Sequence, residues 1–471
     1  VHRALPYGLL KQDLEEYRMS FESRNPATGE IIETYPQHSA ADIEACLVRT
    51  WSCWKSWSRV PLAMRTAFLN RLAAVLESRV DEFARLITLE MGKPYSEAQA
   101  EVKKAASGAR HFAQTGPEYI EPEVIPGTQA QVIYQPLGPI LGVMPWNLPF
   151  WQVLRFFIPA ALVGNTVIVK HAENVKGCAL ALEQLVKDAG GPDGLYVNLM
   201  VDRKALPAIV ADERIRAVTV TASVAAGRAM AAVAGQYGKK AVLELGGSDP
   251  FVVLDDADLT KAVQLGVTSR FSNNAQSCIA AKRFLIAESV FEEYTSRFVE
   301  AVKAIAVGDP MQPSTKFGPL ARSDLRDTVH RQVKDALAQG ARILTGGKFM
   351  AAPGYFYEPT VLTGLRHDAP IVAEECFGPV AMLFPFADDA QAVHLANSTE
   401  YGLGAAVCSK NLDRARTIAA QIEAGAVFIN DFVRSDPRAP FGGVKNSGFG
   451  RELGALGARE LTNAKLVWQG A

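Results

Sequence analysis

The chain has 471 residues, 48% of them hydrophobic and 21% charged, with 49 basic against 50 acidic side chains. That length supports two or three ordinary domains, each with its own core, and the balanced charge excludes a polyanion-binding field, so no nucleic-acid partner is expected. The six cysteines form no Cys-x-x-Cys pair and no Cys/His cluster at zinc spacing, which argues against a disulfide framework and a structural metal and points to the reducing cytoplasm.

The first twenty residues lack the continuous apolar run of a secretory signal. Helical periodicity then dominates the first hundred residues, most clearly in LAMRTAFLNRLAAVLESRVDEFARLITLEMG, where Gly92 and Pro94 supply a stop. After Gly116, EYIEPEVIPGTQAQVIYQPLG is rich in β-branched residues, prolines and turn signals, and predicts extended, hairpin-like segments. Residues 137–154 carry no charge and have the length of a membrane helix. Prolines, Asn147 and Gln152 interrupt them and Arg155 follows, so polar groups would go unsatisfied in lipid and no span is expected.

From Gly138 strands alternate with helices: PILGVMP, a helix to Leu162, TVIVK, a helix from Val175, LYVNLM, AVTVTAS, a helix, and AVLELGG. A second series runs through PFVVLDD, RFLIAES, ARILTGG, PVAMLFPF and GAVFIND. Such alternation predicts right-handed βαβ units, and hence an α/β fold of two parallel-sheet domains joined near residues 245–250. AKLVWQG adds a late strand, and no internal repeat is visible.

The stretch FSNNAQSCIAAKRF, residues 271–284, places Cys278 among amides and hydroxyls with Lys282 and Arg283 close behind. A lone cysteine is more often a small buried apolar residue than a nucleophile, but this one is preceded by Asn273, Asn274, Gln276 and Ser277, donors of the kind that help to populate a thiolate. No histidine has a local claim as its base. Glu244, ending the predicted strand of LELGGSDP, lies where ligands bind on a parallel sheet, followed by two glycines that allow close approach; a solvated strand-end carboxylate is the equal alternative. Asn147 in MPWNLPF follows a strand between two prolines, either as a turn residue or as an amide donor to an oxyanion beside the Cys278 backbone N–H. No G-x-G-x-x-G follows the early strands. A dinucleotide could still meet Lys170 and Glu173 past the end of TVIVK and Ser223 at a helix start, positions that would otherwise be an exposed ion pair and an N-cap.

The chain resembles the aldehyde dehydrogenase family over nearly its whole length. FSNNAQSC matches the family's Phe-x-Asn-x-Gly-Gln-x-Cys motif, LELGG its glutamate motif, PWN its asparagine motif, EECFGP its Glu-Glu-x-Phe-Gly-Pro motif and PFGGVKNSGFGRE its late glycine-rich signature. KHAENVKGCA, LELGGSDPF and CIAAKRF are most similar to bacterial succinate-semialdehyde dehydrogenases that carry Lys-His-Ala in place of Lys-Pro-Ser. The resemblance implies a Rossmann-like cofactor domain from residues 1–117 and 135–246, a catalytic domain from 247–446, and oligomerisation strands at 118–134 and 462–471. Those strands would pair between the subunits of a homodimer or homotetramer.

It further implies that Cys278 attacks the aldehyde carbon, that Asn147 holds the oxyanion, and that Glu244 activates water against the resulting thioester. Pro145, Trp146, Lys170, Ala172 and Glu173 are implied cofactor contacts, as are Ser223, Leu245, Gly246, Glu375 on the nicotinamide ribose, and Phe377 beside it. A carboxylate at Glu173 accepts from ribose hydroxyls and repels a 2′-phosphate that Lys170 offsets only partly, so NAD is expected over NADP. Arg155, on a very apolar helix, is costly to bury without an anion; it is expected to bind a distal carboxylate of the substrate, with Ser435 as a second donor and Ser277 bordering the reacting end. A salt bridge to a protein carboxylate is the alternative for Arg155. Succinate semialdehyde is the expected substrate, with glutarate semialdehyde or a general aliphatic aldehyde as alternatives. Ala275 and Ala222 stand where the family commonly has glycine, which costs about 1 kcal/mol wherever φ must be positive.

Other classes fit less well. A cofactor-free cysteine hydrolase leaves Lys170, Glu173, Glu375 and Phe377 without a role, a coenzyme A-acylating enzyme does not need Glu244, and a noncatalytic protein needs none of Cys278, Glu244 and Asn147.

Overall fold

The computed structural model describes residues 20–470; residues 1–19 and 471 of the expected segments lie outside the described residues. Two open sheets carry the architecture. The first has six strands in the order Gly448–Phe449, Lys240–Glu244, Ala217–Thr221, Pro139–Met144, Thr166–His171 and Tyr196–Asn198, parallel except where Gly448–Phe449 joins antiparallel. The second has seven, ordered Arg342–Thr345, Thr360–Thr363, Val380–Phe386, Arg283–Ala287, Pro250–Val253, Gly404–Cys408 and Ala426–Ile429, with only Arg342–Thr345 antiparallel. This is the α/β fold of two parallel sheets read from the alternation.

Strands of period two deliver successive side chains to opposite faces, and here both faces are covered. Val167 and Val169 enter one apolar cluster and Ile168 the other. Phe251 and Val253 likewise oppose Val252 and Leu254 in the second sheet. That double burial explains the uninterrupted apolar runs TVIV and PFVV.

The helical region divides more finely than its periodicity suggests. Leu62–Ser78 and Val80–Met91 are separate helices broken at Arg79, and Gly92, at φ 86°, ends the second in a conformation that glycine adopts freely. Ser20–Arg24 and Ile31–Pro36 form an antiparallel pair that the sequence pattern did not single out. The two segments expected to serve oligomerisation pair with each other within the chain: Thr462–Trp468 runs antiparallel to Ala130–Pro136, from Thr462 opposite Pro136 to Trp468 opposite Ala130, and Glu123–Val124 completes a three-stranded sheet. No helix among the described residues is long and apolar enough to cross a membrane.

The helix Trp151–Val163 is buried along its whole length and has no capping side chain of its own. Its cap comes from a distant residue: the Glu101 carboxylate accepts from the Phe150 and Trp151 backbone N–H groups at 2.8 and 2.9 Å. Glu101 is in turn ion-paired with Lys93, both side chains being 1% exposed. Removing one partner of such a pair leaves a buried charge uncompensated. Lys93→Met should therefore destabilise the protein by about 3–5 kcal/mol, with partial recovery in Lys93→Met/Glu101→Gln. Denaturant titration followed by circular dichroism measures this, and an unchanged midpoint for the single variant would refute it.

Candidate active site

Four strand ends of the first sheet supply the expected residues. Asn147 follows Pro139–Met144, Lys170 and Glu173 bracket the end of Thr166–His171, Ser223 follows Ala217–Thr221, and Glu244 ends its strand opposite Thr221. They gather at the carboxyl edge because neighbouring parallel strands end in register there, the position at which open α/β sheets bind ligands.

Cys278 arrives from the second sheet, on the loop entering Arg283–Ala287, and is the only one of the six cysteines that is not fully buried. The loop starts with three consecutive left-handed residues, Asn273, Asn274 and Ala275, at φ 57°, 53° and 57°. Asparagine tolerates that region; alanine does so at a cost of about 1–2 kcal/mol. Ala275 thus stands in a position where glycine would be at ease, whereas Ala222 is not among the positive-φ residues. Side-chain amides hold the turn. Asn274 Nδ2 donates to the Gly92 and Pro319 carbonyls at 2.8 Å, and its Oδ1 accepts from Gly318 N–H. Asn273 N–H donates to Glu97, and its Nδ2 donates to the carbonyls of Asn147 and Gln276, both at 3.0 Å.

Asn147 Nδ2 also donates to the Gln276 carbonyl at 3.0 Å, which uses one of its two hydrogens and leaves one for an oxyanion. Among the described residues the Cys278 N–H has no hydrogen-bond acceptor, while Lys282 Nζ donates to the Cys278 and Ser277 carbonyls at 2.6 and 3.2 Å. Ser277 is therefore tied by its backbone, with its side chain half-buried beside the nucleophile. Burial pushes the Cys278 thiol up to about 12, against the pull of Arg155 and Lys282.

Glu244 is 2% exposed and neither carboxylate oxygen has a partner. Burial, and next the Glu452 charge, raise its carboxyl well above the ordinary range, while Arg155 and Arg451 oppose them. Gly442 makes the room: a Cβ there would stand 2.6 Å from Glu244 Oε1. That explains one glycine of the PFGG stretch.

For Arg155 the alternative named above, a protein carboxylate, is present. Its anion is a protein side chain, Glu452, and the guanidinium lies 4.6 Å from the Phe441 ring centroid at 2% exposure. Its Nη2 has no partner, so a hydrogen-bond donor remains although the charge is largely neutralised. Ser435 is buried and accepts from Trp151 Nε1 at 2.9 Å and from Lys104 Nζ at 2.8 Å.

On the cofactor side, Lys170 Nζ lies 3.5 Å from Glu173 Oε1, and Glu173 is exposed. Ala172 and Pro145 are half-buried around them. Ser223 caps the helix Val224–Gln236, accepting from Ala226 N–H at 3.5 Å. Glu375 accepts from Gly247 N–H at 3.1 Å and lies 3.9 Å from Lys282 Nζ. A Cβ on Gly246 would collide with that carboxylate. Leu245 N–H donates to Ser447, and Trp146 meets Phe377 edge-on at 5.7 Å between centroids. A strand-end cradle lined by glycines, with a helix N-terminus and an exposed carboxylate, fits a dinucleotide. The described residues contain no cluster of three metal-ligating side chains.

Sequence reasoning gave no role to Glu97, Glu101, Lys104, Lys282 or Glu452. Lys282 and Glu452 sat inside quoted motifs, but Glu97, Glu101 and Lys104 share a helix and look like a solvated face.

With its thiol pushed up and the other cysteines buried, native protein should be alkylated by iodoacetamide at one thiol only. The rate should climb about tenfold per pH unit through pH 9 without levelling, as expected below a thiol's pKa. Mass spectrometry of the labelled peptide checks the position; a plateau near pH 8 would contradict the burial argument.

The family model of the aldehyde dehydrogenase family matches residues 14–467. Escherichia coli succinate semialdehyde dehydrogenase [NAD(P)+] Sad is 46% identical, covering 95% of this chain and 97% of its own length. The succinate-semialdehyde dehydrogenase [NADP(+)] of Deinococcus radiodurans is 45% identical, covering 95% and 94%. Among solved structures, succinic semialdehyde dehydrogenase from Streptococcus pyogenes in complex with NADP+ superposes with a TM-score of 0.94 at 35% identity, covering 96% of this chain and 100% of that one. The nucleophile loop, the strand-end glutamate and the asparagine donor thus occur in a chain that belongs to the aldehyde dehydrogenase family.

Proposed function

We propose that this protein oxidises succinate semialdehyde to succinate with a nicotinamide dinucleotide. The observation that carries the reading is the polar end of the site, where the free Nη2 of buried Arg155 and the buried Ser435 hydroxyl sit on the Trp151–Val163 side, close enough to Cys278 for the Arg155 charge to act on its thiol. A short aldehyde with a carboxylate at its far end suits such a site; a purely apolar aldehyde would leave those donors unpaired, at a cost of about 1–3 kcal/mol.

In this mechanism the deprotonated Cys278 Sγ bonds to the aldehyde carbon, and the oxyanion is held by the free Asn147 amide hydrogen and the Cys278 N–H. A nicotinamide held near Glu375 and Phe377 would supply the hydride acceptor, and loss of hydride from the carbon bonded to Cys278 Sγ leaves a thioester. Glu244 then takes a proton from water as the water oxygen adds to the thioester carbon; the C–S bond breaks, the acid departs, and Sγ regains a proton. Water attack requires the Glu244 carboxylate. Because its pKa is raised, that form is scarce at low pH and grows as pH rises.

The relatives from E. coli and D. radiodurans are named for NAD(P)+ and NADP(+). In this chain the exposed Glu173 carboxylate, only partly offset by Lys170, supports NAD. Leu466, Trp468 and Val124, 56%, 62% and 70% exposed on the three-stranded sheet, support self-association into a dimer or tetramer. Six free cysteines agree with a cytoplasmic setting.

Glu244→Gln should show a burst of reduced cofactor and then stall, deacylation falling by about 10²–10⁴-fold; stopped-flow absorbance measures it, and normal steady-state turnover would remove Glu244 from the mechanism. Glu452→Gln withdraws a charge that raises Glu244 and frees Arg155 to lower it, so the acid limb of deacylation should move to lower pH. A limb that stays put contradicts the coupling. Wild-type enzyme should prefer succinate semialdehyde to butanal, and Arg155→Ala should reduce that preference. Glu173→Ser should shift the cofactor ratio toward NADP; better efficiency with NADP in the wild type reverses the cofactor assignment. Sedimentation at micromolar concentration should show a species larger than the monomer.

A further inference from the structure

The polar end of the site contains a cation that the mechanism leaves unused. Lys104, on the helix Tyr95–Gln114, donates from Nζ to Ser435 Oγ at 2.8 Å and stands 4.8 Å from the Trp151 ring centroid. Among the described residues no carboxylate is within ion-pair distance of it: Glu101 is engaged by Lys93, and Asp436 by Arg438. Its position beside the buried guanidinium of Arg155 makes an unpaired ammonium costly, since each positive charge opposes the other. Arg155 is offset by Glu452; Lys104 has no such partner.

Ser435 supplies the second observation. A hydroxyl oxygen accepts two hydrogen bonds and donates one. Trp151 Nε1 and Lys104 Nζ take both acceptor positions, and among the described residues the hydroxyl donates to nothing. Its one remaining capacity is to donate. Trp151 and Arg155 lie one turn apart on the same helix, so Arg155 Nη2 belongs to the same face.

We propose that Lys104 is the specificity-determining counter-ion for the substrate's distal carboxylate, with the Ser435 hydroxyl as its partner donor and Arg155 in support. The inference rests on the semialdehyde reading above and assigns the charge recognition to a different residue. An ammonium with three donors can hold Ser435 and a carboxylate oxygen together, whereas an Arg155 already neutralised by Glu452 contributes a hydrogen bond with little net charge.

Burial, and then Arg155, bring the Lys104 ammonium down to about 8; Arg434 adds to this, while Glu101 and Asp436 oppose it. The charge is therefore present below that pH and lost above it. In the wild type, KM for succinate semialdehyde should rise with pH above about 8, while KM for butanal does not follow.

The test compares succinate semialdehyde with butanal in wild type, Lys104→Met, which keeps the aliphatic stem, and Lys104→Arg. In Lys104→Met, KM for succinate semialdehyde should rise about tenfold or more, the scale of a lost charged hydrogen bond, with kcat and both butanal constants little changed and the pH dependence of KM abolished. Lys104→Arg should recover most of the affinity. An unchanged preference, or an equal loss for both aldehydes, overturns the role of Lys104; if Lys104→Met does not fold, Lys104→Gln is read by the same ratios. A wild type with no preference for the charged aldehyde instead sinks the semialdehyde reading itself.

Discussion

The side-chain amide of Asn273 is the joint on which the active site depends. Its two hydrogens go to the carbonyls of Asn147 and Gln276, and the Asn147 amide returns a bond to the same Gln276 carbonyl. Asn147 follows a strand of the first sheet and Gln276 precedes one of the second, so three hydrogen bonds fix the oxyanion donor against the nucleophile loop across two separately built cores. Buried amide bonds of this kind are modest in net stability but expensive to break singly, because each leaves a polar group stranded. Glu97, accepting from Asn273 N–H, and the Asn274 bonds to Gly92 and Pro319 brace the joint from the helical layer and from the second domain.

Around that joint the buried charges are mostly matched, Lys93 with Glu101, Arg155 with Glu452, and Lys282 with Glu375. Glu244 is not among them: both of its oxygens are unpartnered. A buried carboxylate with neither oxygen hydrogen-bonded is a costly feature that stability alone would not retain. A hydrogen-bonded Glu244 would be held ionised and would be a weak base toward water; an orphaned one has a raised affinity for protons, which is what general-base work demands. The same neighbours that raise it respond to charge at Arg155, so substrate recognition and deacylation share one electrostatic environment.

Much of this was legible in the sequence where the signal was local. The two sheets followed from alternating strand and helix patterns, and Cys278, Glu244 and Asn147 from donor-rich or glycine-flanked strand ends. What escaped depended on partners far away in the chain. Nothing near Arg155 announces Glu452, and nothing in SEAQAEVKK distinguishes a helix face that caps Trp151 and holds Ser435 from one that faces water. Asn273 and Asn274 were read as donors and not as the left-handed turn that they form with Ala275, although asparagine's tolerance of that region was a local signal for it. The final strand was recognised and placed in one sheet with the 118–134 segment; that the two pair within a single chain was not, because strand patterning carries no information on whether the matching edge lies in the same chain.

That late strand sets a condition on how the molecule is made. Ala130–Pro136 is made well before Thr462–Trp468 and has only the short Glu123–Val124 beside it until that strand appears, and Lys240–Glu244 likewise keeps one edge open until Gly448–Phe449 arrives. During the intervening translation both edges present unpaired backbone groups, the condition under which chains join wrongly. A nascent chain interrupted between these segments would carry a complete nucleophile loop and two open templates for aggregation, so Gly448–Phe449 and Thr462–Trp468 act as the clasp that makes the earlier layers safe.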